Sequence, residues 1–169
     1  MKSKKRTLVL KNISLSKPSA GWSNLILTYS YLDNMTSEYQ LFYPFSYVRE
    51  SHKDILQIIE DFCKKICLST DVYMDDTPDI ITFDSEADGD HILIISNYYV
   101  LHYCINDTEE NHLFLYPNDL DKKQLYFSLL ESLEKNKKEW IEKFNLDKDF
   151  TVDDFEYKIK TLKNILGGK

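Results

Sequence analysis

Cys63 and Cys67 stand four residues apart in a stretch of helical periodicity, and His102 and Cys104 stand two apart in a stretch that alternates. Positions four apart share a helix face and positions two apart share a strand face, so these four soft ligands would surround a tetrahedral zinc if the two elements met. Cys63 also falls within the apolar stripe of its helix, where cysteine behaves as a small hydrophobe, and core packing is the expectation for it. The run Asp84-Ser85-Glu86-Ala87-Asp88-Gly89-Asp90 imitates the first half of a calcium-binding loop. Its twelfth position is Ile95, where a bidentate glutamate is required, and its flanks alternate like strands, so an acidic hairpin turn is expected instead. His52, His91, His102 and His112 are scattered, with no nucleophile, base and orienting group in one local signature. The glycines, Gly21, Gly89, Gly167 and Gly168, form no phosphate-cradling loop. The expectation is a protein without a cofactor or resident metal, and not an enzyme.

The charge is distributed unevenly. Residues 1–65 hold 10 basic and 6 acidic side chains, residues 66–121 hold none and 13, and residues 122–169 hold 11 and 9. The parts carry +4, −13 and +2, so the net charge of −7 resides in the central third. Clustered carboxylates accelerate association with, and select for, a positively charged partner. Tyr73, Asp75, Asp76, Asp79, Asp84, Glu86, Asp88 and Asp90 are the expected partner-binding residues, on loops at 72–79 and 84–90, with Met74 and Phe83 interleaved as apolar anchors. Tyr29, Tyr31, Tyr39, Tyr43, Tyr98, Tyr99 and Tyr103 could stack bases, but the last three lie in the −13 segment, which repels phosphates, so direct nucleic-acid binding is disfavoured.

The positioning elements follow from periodicity. Residues 7–12, 24–32 and 39–45 read as three strands, the second with Leu25, Leu27, Tyr29 and Tyr31 on one face, and residues 33–37 as the turn before the third. Ser51 with Asp54 predicts a capping box, and Ile55, Ile58, Ile59, Phe62, Cys63 and Ile66 the apolar stripe of a first helix. Residues 80–84, 91–96, 98–105 and 112–116 read as a meander, its Asp88-Gly89 pair signalling a type I′ turn. A long helix is expected from Asn118 or Asp119 to about Phe144, with Tyr126, Leu130, Leu133, Trp140, Ile141 and Phe144 facing inward. A last helix is capped by Thr151 with Asp154 and striped by Phe155, Ile159, Leu162 and Leu166.

Runs of strands followed by separate helices predict an α+β domain over residues 1–169, with residues 1–6 a frayed basic terminus. The expected architecture is an antiparallel sheet of about six to seven strands packed with three helices, in the order β-β-β-α-β-β-β-β-α-α. Leu8-Val9-Leu10 is far short of a signal-peptide core, no segment has the length of a membrane span, and three cysteines suit reduced thiols, so a cytoplasmic protein is expected. In size, acidity, motif-poor α+β pattern and tyrosine-rich strands, the whole chain resembles the immunity proteins of bacterial polymorphic-toxin and contact-dependent inhibition systems. That resemblance implies an inhibitor that binds a positively charged toxin domain, commonly a basic nuclease; a homodimer is compatible with it. Two alternatives stand beside it: a phage or plasmid DNA mimic occupying a nucleic-acid-binding enzyme, and a small metal-binding protein or enzyme using Cys63, Cys67, His102 and Cys104.

Overall fold

The structure is a computed structural model, and it describes residues 8–46, 50–64, 69–73, 79–84, 93–97, 112–117, 122–144 and 147–167. The chain opens with three antiparallel strands, β1 (Leu8–Leu15), β2 (Trp22–Tyr31) and β3 (Asn34–Ser46). Ser23, Leu25, Leu27 and Tyr29 are buried at every second position of β2, the period of a half-buried strand. On β1 the inward residues are Leu8 and Leu10, then Ile13 and Leu15. The change from even to odd positions is accounted for by a register shift between Leu10 and Asn12, a bulge whose extra residue turns the rest of the strand over.

The first hairpin closes through Ser19 and Trp22, which exchange backbone hydrogen bonds of 2.8 and 2.9 Å across Ala20 and Gly21. Both central residues have positive φ, 49° and 83°, as a type I′ turn requires. In the second hairpin the turn is tighter than residues 33–37. Tyr31 pairs with Asn34, so Leu32 and Asp33 alone make the turn and β3 begins five residues earlier than its alternation suggests. Asn34, Thr36 and Ser37 occupy the strand end and hydrogen-bond to one another, with Asn34 Nδ2 to Ser37 Oγ at 3.2 Å and Thr36 Oγ1 to Asn34 Oδ1 at 2.9 Å.

Helix α1 (Ser51–Cys63) follows, with Ile55, Leu56, Ile58, Ile59 and Phe62 buried. Its N-cap is not Ser51 but Glu50, which stands in the left-handed region at φ 45° with no side-chain cap hydrogen bond, so the predicted capping box is absent. Strands β4 (Ser69–Tyr73), β5 (Asp79–Asp84), β6 (Leu93–Asn97) and β7 (His112–Pro117) form an antiparallel ladder. Three helices close the chain: α2 (Lys122–Lys135), α3 (Lys137–Phe144) and α4 (Val152–Leu166).

The strand order is β3-β2-β1-β7-β6-β5-β4, and the join between the two antiparallel parts, β1 to β7, is parallel, with Leu8 opposite Leu115 and Leu10 opposite Pro117. An antiparallel sheet of about six to seven strands with three helices is therefore not what the chain forms. The β1–β3 unit is antiparallel, the sheet as a whole is mixed, and four helices are described. The ladder also differs in detail: β4 covers residues for which no strand is expected, Val72 and Tyr73 among them being read as loop, while the strand expected at 98–105 lies outside the described residues. The fourth helix arises because the expected long helix breaks at Asn136, whose N–H bonds the Leu133 carbonyl at 3.3 Å and whose side-chain amide bonds the Ser132 carbonyl at 3.4 Å. An asparagine amide that competes for backbone carbonyls weakens a helix interior.

The described core lies between one face of β1–β3 and the helices. Leu10, Leu25 and Leu27 meet Ile55, Ile59, Leu129, Leu133, Trp140, Phe155 and Ile159, all essentially without solvent contact. Each such side chain contributes about 1.5–3 kcal/mol of burial free energy. Helix α4 packs on α1, α2 and α3 and so fastens the helical layer together. No helix among the described residues is long and apolar enough to cross a membrane.

Candidate functional site

The acidic segment enters the described structure through β4 and β5, at the opposite end of the strand order from β3. Tyr73 ends β4, Asp79 begins β5 and Asp84 ends it. Tyr73 pairs with Ile80 and Asp79 with Asn97 at one end, and Asp84 pairs with Ser69 at the other. The residues bounding 74–78 and those bounding 85–92 therefore sit at opposite ends of β5, five steps of about 3.4 Å or about 17 Å apart. Tyr73 and Asp79 are brought together and Asp84 is not, so a surface using both loops runs along the β4–β5 hairpin rather than across one end of it. Asp75, Asp76, Glu86, Asp88 and Asp90 lie outside the described residues.

Six lysines have carboxylate partners that come from outside the acidic segment. Lys17 meets Glu139 at 2.6 Å, Lys53 meets Glu50 at 3.0 Å and Asp147 at 3.8 Å, Lys137 meets Glu156 at 2.7 Å, Lys163 meets Glu134 at 2.5 Å, and Lys64 and Lys158 share Glu60. Glu60 is the most heavily engaged of these carboxylates. Hydrogen bonds from Lys158 and then Lys64 hold it below the ordinary glutamate range, and the same contact raises Lys64.

That ion triad borders a groove of about 480 Å³ between the C-terminal half of α1 and the exposed side of α4, lined in part by Cys63, Phe150, Tyr157, Leu162 and Ile165. The groove escaped the sequence analysis, although a signal was present. Tyr157 and Ile165 lie off the Phe155, Ile159, Leu162, Leu166 stripe, and they are 74% and 52% exposed, unusual for large apolar side chains on the solvent side of a helix.

Of the remaining candidates, Cys63, His52 and the tyrosines of β2 and β3 take packing roles. Cys63 is a half-buried free thiol whose pKa is raised by burial and then by the Glu60 carboxylate, the reverse of an activated nucleophile. Its proposed co-ligands Cys67, His102 and Cys104 lie outside the described residues, and among those described no group of three or more metal-ligating side chains occurs. Of the calcium-loop-like run only Asp84 is described, at a strand end. His52 is fully buried, its ring 5.8 Å from Trp140 and 5.9 Å from Phe155, and burial lowers its pKa to about 4. Tyr29, Tyr31 and Tyr39 pack against one another, with ring centroids 5.3–5.7 Å apart and planes tilted or perpendicular. Tyr29 and Tyr43 are buried, so these rings form a cluster and not a flat stacking platform.

Comparison with known proteins adds no relative: no family model, no curated protein and no solved structure matches the chain.

Proposed function

We propose that this chain is a cytoplasmic protein-binding inhibitor, of the immunity-protein kind, that neutralises a positively charged toxin domain through its acidic segment. The observation that carries this reading is the charge partition, a −13 segment without a basic residue; among the described residues, Lys53, Lys64, Lys137, Lys158 and Lys163 pair with carboxylates outside that segment. A concentrated negative potential of this kind raises association rates about ten- to a thousandfold for a cationic partner at low salt. Of the proposed recognition residues, Tyr73, Asp79 and Asp84 lie on β4 and β5, at the far end of the strand order from β3, which supports a reading in which that end varies without disturbing the packing of β1–β3 on the helices.

The test is co-expression with the polypeptides encoded by the neighbouring genes, followed by affinity capture and, for a captured cationic partner, stopped-flow association. Replacing Asp75, Asp76, Asp88 and Asp90 together by lysine should abolish capture, slow association at least about tenfold and remove its salt dependence, with an unchanged urea midpoint. Capture that survives the four reversals would take the acidic segment out of the mechanism.

A further inference from the structure

We propose that β3 is a docking edge for a second copy of this chain, the two β3 strands pairing antiparallel about a two-fold axis at Leu41. The sheet has two edges, β3 and β4. β4 is guarded against pairing: it is five residues long and lies in the −13 segment, with Asp71 on it and Asp79 and Asp84 on its neighbour. β3 runs for 13 residues with one charged side chain, Glu38, and no lysine. Pro44 guards one end of it, and Glu38 with the register shift beyond Tyr39 guards the other. Tyr39–Tyr43 between them is a regular, open edge, on which Tyr39 and Phe42 are 40% and 57% exposed. The direction of the backbone groups sets the pairing. Asn24, opposite Pro44, accepts the Ser16 N–H on its carbonyl and donates its own N–H to Ser16 Oγ, both at 2.9 Å, so it turns both groups towards β1. Asn24 and Pro44 are therefore a non-hydrogen-bonded pair, and Pro44 turns its backbone away from β2. The register is unbroken from Pro44 to Tyr39, so Phe42 and Gln40 do the same, and among the described residues no strand lies beyond them. With the axis at Leu41, Gln40 of each copy faces Phe42 of the other, and their four N–H groups meet their four carbonyls. An axis at Phe42 would instead set the Gln40 carbonyl against the Pro44 nitrogen, which has no hydrogen to donate. The partner is a second copy because it brings the same open strand in the complementary direction and closes both edges at once. Charge favours it as well. The two Glu38 side chains fall about 20 Å apart along the ladder, beyond the screening length of about 8 Å. The −13 segments enter the sheet at its opposite edge, away from the contact.

The open stretch is about 17 Å long, a small contact for a dimer, so reversible association in the micromolar range is expected. Sedimentation equilibrium of the full chain through that range should show monomer and dimer exchanging. Phe42→Lys, at an exposed position beside the axis, sets like charges near each other across the two strands and should weaken the dimer about tenfold with an unchanged urea midpoint. Gln40→Pro removes one outward N–H from each copy, is tolerated on an edge strand, and repeats the test if circular dichroism shows that Phe42→Lys disturbs folding. Leu41→Cys reads the register. The pair on the axis is non-hydrogen-bonded, with Cα atoms about 4.5 Å apart and so within disulfide range. Air oxidation should therefore link two copies of that variant in far higher yield than the wild-type chain, whose native thiols serve as the control. A chain that stays monomeric throughout the micromolar range, a dimer of undiminished strength in a folded edge variant, or a Leu41→Cys chain that cross-links no more than wild type would each overturn the assignment.

Discussion

Acidification should destabilise this protein already above the pH at which its carboxylates protonate, and His52 is the reason. The ring lies in the core against Trp140 and Phe155, and burial there disfavours the imidazolium. The nearby Glu50 carboxylate works against that effect and the Lys53 ammonium reinforces it. A histidine moved from about 6.5 in the unfolded chain to about 4 in the native one binds its proton preferentially when unfolded. Its contribution is therefore fully present above pH 6.5 and is lost as pH falls towards 4. The full span corresponds to about 3 kcal/mol, of which about 2 kcal/mol disappears between pH 7 and pH 5. With a urea slope of about 2 kcal/mol per molar for a chain of this size, the midpoint should drop by about 1 M over that interval. His52→Phe keeps an aromatic ring against Trp140 and Phe155 and removes the titrating group. Any overpacking it causes is the same at both pH values. Urea titrations followed by tryptophan fluorescence at pH 7 and pH 5 should show the wild-type midpoint falling by about 1 M more than the variant's. Parallel losses in the two proteins would refute the burial argument.

Three further perturbations report on local structure. Ala20 holds a left-handed turn position that favours asparagine, so Ala20→Asn should raise stability by about 0.5–1 kcal/mol, seen as a higher urea midpoint. Thr151→Ala removes the hydroxyl that accepts the Asp154 N–H at 3.2 Å and should cost about 1 kcal/mol, with α4 amide protons near the cap exchanging faster. Leu133→Ala opens a cavity at a fully buried position of α2 and should cost about 2–5 kcal/mol in chemical denaturation.

Much of the local structure was legible in the residues. The β2 alternation, the inward stripes of α1 and α4 and the Thr151–Asp154 capping box each depend on neighbours within a few positions, and each is found in the structure. Reading failed where a local pattern had two solutions. Ser51 and Asp54 have capping-box spacing, yet a left-handed Glu50 starts the helix. The inward side chains on both sides of Asn136 keep one helical phase, Leu133 to Trp140 being seven apart, so periodicity did not reveal the break. The acidic character of residues 66–121 was legible, but the place of β4 and β5 at the far end of the strand order from β3 depends on strand pairing.

By itself, the sequence determined the charge partition and the apolar stripes, because both are properties of residue type and spacing along the chain. Only the tertiary structure decided that β1 and β7 run parallel, since side chains alternate with period two whichever way the neighbouring strand runs. It alone also brought Glu60 to Lys158, almost a hundred positions away, and so made the groove beside them. That juxtaposition depends on the route of the backbone between the two helices, which no local pattern encodes.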